Sequence, residues 1–459
     1  VNQHSPINDT VAEKLARWIV NLKPSDISPK SRDLARMLLI DVAGLAVAAR
    51  GEEYVTASVA ASEPGVATAI GHAGGFDTFS AALINGTAAH GEDYDDTFEG
   101  GPVHSGAVIV PAVLAVCQRE GLGGAALLKG IVVGAELLCR LSLVAPKAIH
   151  KAGFHPTAVI GTIAAAAAVS AALDLDEKTT VSAIGVAGSM AAGIIEYLAE
   201  GTWTKRMHAG NAAQAGIRAA LLARGGFLGP RTVFEGTHGF FQAFAPSKAP
   251  DFGHLFEGLG TDWVIETIAF KPYACGTMTQ PFIDCAIELA QRGVSSGDIE
   301  TIVCQVGEGT VHRLWEPLAS KHSPQTPYAA KFSTPICMAL GFIDRKAGLA
   351  QFTEERLADP EVRSLASKIS YVVDPDDEYP TNFTGQLKAR LMDGSEIEIR
   401  QPYMRGGKHA PLTIAEIEEK FADNAVYGGW KREAAEAFLA LSNAIFAGKD
   451  INGIKEYAL

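Results

Sequence analysis

In HGEDYDDTFEGGPVH, residues 90 to 104, two histidines bracket five carboxylates: His90, then Glu92, Asp93, Asp95, Asp96 and Glu99, then His104. Carboxylates and imidazoles side by side are the groups that move protons at neutral pH. If the helix starting near Thr78 carries on to residue 97, then His90, Asp93 and Thr97 fall at i, i+3 and i+7 on one stripe, and Asp95, Asp96 and Glu99 point elsewhere. That spacing singles out Asp93. The plain alternative is an acidic helix end solvated at the surface, although carboxylates there oppose the helix dipole and ask for a compensating partner. A calcium loop is the weaker alternative, because the D-x-D-x-D-G order is missing.

Two further segments carry candidate groups. In AGFHPTAVIGT, His155 precedes Pro156, which pushes it toward extended geometry at the start of a helix, a place suited to an anion or, equally, to a cap or core-edge histidine. EGTWTKRMHAGNAAQAGI gathers Lys205, Arg206 and His208 ahead of a helix. A basic island in a chain of net charge −13 would attract an anionic substrate, and Trp203 and Met207 beside it argue against a plain surface cluster. GVAGSMAAG has neither a preceding strand nor the G-x-G-x-x-G order, so it reads as helix packing. Without a Walker lysine motif, H-E-x-x-H or G-x-S-x-G, the expectation is chemistry with no cofactor and no metal.

The elements that must position these groups are mostly helical. From residue 11 to about 260, apolar residues recur at three- and four-residue spacing. PTAVIGTIAAAAAVSAALD approaches the length of a membrane span, but alanine is weakly apolar and a buried, close-packed helix is the better reading. Near residue 262 the texture changes: VIETIAF, IETIVCQVG and ISYVVD read as strands, and QLKARLM and SEIEIRQ as a hairpin turning at Asp393-Gly394. After Gly406-Gly407 the chain is helical again. The fold class expected is mainly α: a large helical domain from both chain ends (1–264 and 405–459) with a smaller α/β domain inserted at 265–404.

The 459 residues are 47% hydrophobic and 20% charged, which suits an ordinary globular chain, and the acidic balance argues against a nucleic-acid partner. Six scattered cysteines without a C-x-x-C pair read as buried thiols of a reducing compartment. The opening VNQHSPINDT lacks the pattern of a secretory leader, so a cytoplasmic location and no membrane partner are expected.

Taken together and in order, NGTAAHGEDYDDTF, GFHPTAVIGT, GTWTKRMHAGNAAQAGI, KPYACGTMTQPFIDCA and AKFSTPICMAL resemble the MmgE/PrpD family over nearly the whole chain. The resemblance implies a helical domain plus a small α/β domain, a homodimer, and action on a small anionic polycarboxylate; members include 2-methylcitrate dehydratase, cis-aconitate decarboxylase and iminodisuccinate epimerase. It also assigns site positions: Asp93 and Thr97 from D-[FY]-D-D-T, then His104, His155 from F-H-P-T, and Lys205 from T-K-R-x-H-A-G. Two positions depart from the family pattern, Gln280 where many relatives have His and Ile336 where many have Tyr.

Chemistry common to such reactions passes through a carbanion beside a carboxylate, with a base handling the proton and cations stabilising the charge. Since Gln280 and Ile336 remove two potential proton donors that an epimerase can spare, and the whole-chain resemblance points to the iminodisuccinate epimerase member, the first expectation is an isomerase, a cofactor-independent epimerase of the iminodisuccinate type. In it Asp93, His155 and Lys205 are catalytic, and Thr97, His104, Arg206, His208, Lys271 and Gln280 bind substrate. The alternatives are a hydro-lyase of the 2-methylcitrate type or a relative that binds a polycarboxylate without turning it over.

Overall fold

The computed structural model describes residues 9–101 and 103–457. Most of the opening stretch read for a leader, and Pro102 at the end of the acidic segment, lie outside them. The chain divides into two compact units, the first Val1–Gly91, Asp95–Ile268 and Ile414–Leu459, the second Glu92–Tyr94 and Ala269–Thr413.

The first unit is helical from its first capped turn. Thr10 accepts the Glu13 N–H at 3.2 Å while the Glu13 carboxylate accepts the Thr10 N–H at 2.8 Å, a reciprocal cap that starts Val11–Asn21. At the centre lies Pro156–Ala172, in which every residue is buried. Around it pack Gly106–Glu120, Gly124–Val144, Glu177–Met190 and Thr204–Arg224. Alanine and glycine are what permit this, since a helix surrounded on all sides needs small side chains for the axes to approach. Among the described residues no helix is long and apolar enough to cross a membrane.

Thr78–Gly91 crosses Thr204–Arg224 with backbone nearly touching backbone: a Cβ on Gly210 would lie 2.2 Å from the Leu83 carbonyl oxygen, and one on Gly86 would lie 2.5 Å from Gly210 Cα. Glycine at both positions is therefore a steric requirement.

Toward the C-terminus the helix Ile414–Tyr427 returns to this unit and packs on Pro29–Ala48, held by a buried Lys420–Asp41 pair at 2.8 Å and by Arg36 on Glu418 at 2.9 Å.

The second unit centres on a four-stranded sheet in the order Ile369–Val373, Ile299–Val306, Gly385–Leu391, Glu396–Gln401, the first pair parallel and the others antiparallel. Ile302, Cys304 and Val306 alternate inward along the central strand. The last two strands form the hairpin, with Gly394 at φ +87° and the Leu391 N–H donating to the Ser395 carbonyl at 2.9 Å. Gln280–Gln291 packs on that hairpin and on Thr334–Asp344. All six cysteines are buried free thiols.

One predicted strand does not form. VIETIAF becomes a 3-10 turn, Val264–Thr267, followed by a two-residue strand, Ile268–Ala269. The N–H groups of Val264 and Ile265 donate to the buried Glu136 carboxylate at 3.2 and 2.9 Å, which curls the chain where β-branched residues alone favour extension.

Candidate active site

The helix beginning at Thr78 stops at Gly91, six residues short of the length that sets Asp93 and Thr97 on the His90 stripe. Asp93 takes a left-handed conformation, φ 56°, and the chain turns there. This corrects the expectation for the acidic segment. The carboxylate facing the histidines is Asp95: its Oδ2 lies 2.7 Å from His90 Nδ1 and its Oδ1 lies 3.3 Å from His104 Nδ1. A helical stripe cannot survive a left-handed residue, which rotates every following side chain to a new direction.

Asp96 does a different job. It accepts the N–H groups of Ser105 and Gly106 at 2.9 and 2.8 Å and so caps Gly106–Glu120 from ten residues upstream. Its own carbonyl accepts His104 Nδ1 at 2.7 Å. Thr97 is buried in the short strand Thr97–Phe98.

From His104 the imidazoles form a row. Ring centroids are 4.8 Å apart for His104 and His90, 5.5 Å for His90 and His155, and 5.3 Å for His155 and His208. His155 is in place because its ψ of 114° lets it precede the Pro156 helix, as the His-Pro pair predicts, and because its N–H donates to the Gly193 carbonyl at 2.9 Å. Gly193 itself has φ +136°, and a Cβ there would meet Ala158 Cβ at 2.5 Å and His208 Nδ1 at 3.4 Å. Tyr197 closes the row, its ring 5.7 Å from His208.

The basic island lies inside a helix, since Thr204–Arg224 begins before it; Lys205 and His208 share a face at i, i+3. Arg206 sits with its guanidinium 4.3 Å from the Tyr54 ring centroid. The Gly86–Gly210 crossing draws the helix carrying His90 against the helix carrying Lys205 and His208.

Electrostatics favour the neutral form of three of these imidazoles, His90, His155 and His208. Burial pushes His155 well below the ordinary histidine range, with the neighbouring His90, Lys205, His208 and His104 adding to it. Burial, His90 and Lys205 likewise push His208 down to about 4. For Asp95 burial acts upward, but His104 and His90 outweigh it and hold the carboxyl well below the usual range. Burial and the neighbouring Asp95 charge raise Asp96 to about 7, against the Gly106 N–H that favours its ionised form.

His90, Asp95 and His104 offer donor atoms within 4.8 Å of one another, a spacing one cation could bridge. Both Nδ1 atoms already face an oxygen acceptor at 2.7 Å. A lysine beside neutral imidazoles and one ionised carboxylate can hold a substrate anion and move a proton to or from carbon.

Asp93, Lys271 and Gln280, also expected in the site, belong to the second unit. Asp93 Oδ2 accepts the Tyr328 hydroxyl at 2.6 Å, and its carbonyl accepts Lys271 Nζ at 2.7 Å. Gln280 is buried at the start of its helix, with Nε2 donating to the Tyr273 carbonyl at 3.4 Å; Ile336 is buried in Thr334–Asp344. The structure thus brings together His104, His155, Lys205 and His208 from the expected set. It adds His90 and Asp95, which sequence reasoning left out of the site. The available signal was the histidine opening the acidic run.

Known proteins similar to the chain include cis-aconitate decarboxylases. A cis-aconitate decarboxylase-like protein of Aspergillus oryzae is 29% identical over 451 residues, covering 92% of this chain and 91% of that protein. Cis-aconitate decarboxylase of Aspergillus terreus is 28% identical over 420 residues, 84% of each chain, and that of Homo sapiens 30% identical over 362 residues, 75% of this chain and 72% of that one. Decarboxylases are lyases, and these relatives overturn the isomerase expected from Gln280 and Ile336. Two lost donors say little about the reaction when four other imidazoles lie in a row in the same chain. Residues 13–253 match the MmgE/PrpD N-terminal domain and residues 273–443 the MmgE/PrpD C-terminal domain, and the chain belongs to the MmgE/PrpD family.

Proposed function

We propose that the protein is a lyase that removes carbon dioxide from a small polycarboxylate of the cis-aconitate type, without a cofactor, as a cytoplasmic homodimer. In such a substrate the bond to one carboxylate breaks, its electron pair shifts through the neighbouring double bond, and charge collects on the carbon beside a second carboxylate. One proton on that carbon completes the product, 2-methylidenesuccinate. The step needs a cation for the developing enediolate and a proton source, and no external electron acceptor.

The observation that carries this reading is the row of four imidazoles with Lys205 beside it and the Asp95 carboxylate against two of them. Lys205 is assigned the enediolate charge, His155 and His208 proton transfer, and His104 and Arg206 contacts to substrate carboxylates. The catalytic role of Asp93 and the substrate contact at Thr97 rest on the family resemblance, and Lys271 and Gln280 as substrate contacts are expectations from the sequence.

The test is proton NMR of cis-aconitate with purified protein in heavy water. Methylidene signals, one deuterium in the new CHD group and matching carbon dioxide release are expected. Cis-aconitate left unchanged while 2-methylcitrate loses water would replace decarboxylation by dehydration. Thermal stabilisation by polycarboxylates with no product would mark a binding protein. Light scattering on the eluting protein tests the dimer.

A further inference from the structure

His90 and Asp95 make a closed pair. The histidine side chain and the carboxylate are both fully buried, and Nδ1 lies 2.7 Å from Oδ2. An ionised carboxylate only accepts hydrogen bonds, so the shared proton sits on Nδ1. His90 Nε2 is then a lone pair, and among the described residues this buried atom has no hydrogen-bond partner. His104 follows the same logic from a different acceptor: its Nδ1 lies 2.7 Å from the Asp96 main-chain oxygen, which cannot donate.

We propose that Asp95 and the Asp96 carbonyl are the positioning groups of this site, locking His90 and His104 as Nδ1–H tautomers, and that His90 Nε2 is where the proton consumed by turnover is first held. The inference rests on the lyase reading. A tricarboxylate trianion that loses carbon dioxide takes up one proton to become a dicarboxylate dianion. Nε2 is the lone pair able to hold that proton, as an imidazolium paired with Asp95, and it returns to its resting form when the proton is passed on to the carbanion. Burial keeps the resting His90 neutral against the pull of Asp95, and Lys205 and His104 act in the same sense as burial. An arriving anion reverses that balance, because negative charge beside an imidazole favours its charged form.

Neutron diffraction on the deuterium-exchanged wild-type protein is the direct test, with Asp95→Asn as the matched variant. Deuterium on Nδ1 and none on Nε2 is expected for both histidines. In the variant, His90 is expected to carry its deuterium on Nε2, and kcat to fall by at least about 100-fold with KM nearly unchanged, the behaviour of a carboxylate that sets a histidine tautomer. Deuterium on His90 Nε2 in the wild type overturns the proposal, as does a variant with unchanged kcat. If the variant does not fold, the wild-type map alone decides the tautomer. A wild-type protein with the expected deuterium pattern that releases no carbon dioxide sinks the lyase reading and leaves the tautomer lock standing.

Discussion

His155 and His208 meet through like atoms, Nδ1 to Nδ1 at 3.2 Å. Only one of the two can carry the proton between them, and a second proton would set two cations in contact. Both groups are pushed below the ordinary histidine value, His208 to about 4. In the unfolded chain each takes up a proton near pH 6.5, whereas the folded protein resists it. Stability is thus lost as pH falls from about 6.5 toward 4. Asp96 acts oppositely, since its raised value, about 7, means that the folded state binds a proton first and gains stability as pH falls from about 7 to 4. Denaturation of wild type and His208→Gln across this range separates the two: the acid-side loss should be shallower in the variant, and equal slopes would remove His208 as a cause of that loss.

Lys205 is half-buried on the helix that also carries His208. Replacing it with Ala should lower kcat/KM for the polycarboxylate by about 100-fold or more, the size of effect seen when a group stabilising a developing oxyanion is removed. The melting temperature should change little. Steady-state kinetics beside a thermal melt would show whether activity and stability part in this way.

Asp96 caps Gly106–Glu120 through two N–H groups. Asp96→Ala should cost about 1–2 kcal/mol, the upper range for a lost N-terminal cap, and Asp96→Asn less, because its amide oxygen keeps one acceptor. Urea midpoints of the two variants give the ranking. A variant with Ala as stable as one with Asn would mean that water replaces the cap.

At the helix crossing, Gly210→Ala places a methyl 2.2 Å from the Leu83 carbonyl. The helices must move apart, at about 1–3 kcal/mol, and His90 must move away from His208. Activity should therefore fall with stability. Gly51→Ala, where nothing lies within 4 Å, is the control, with a change under about 0.5 kcal/mol.

The features legible in the sequence were those that neighbouring residues settle. A proline forces its predecessor extended, and His155 begins its helix as predicted. Asp393-Gly394 supplies the positive φ of a tight hairpin, and small residues at helical spacing mark the buried Pro156 helix. Five motifs in order sufficed for the family, since they mark the same fold wherever they recur. Tertiary structure decided which carboxylate meets the histidines and which strands form. A helix that ends at Gly91 and a left-handed residue at Asp93 set Asp95, not Asp93, against His90 and His104. A buried Glu136 reaching Val264 and Ile265 from more than a hundred residues away turns a β-prone run into a 3-10 turn. Side-chain period predicts direction only while the backbone stays regular, and the breaks come from long-range partners that spacing does not record.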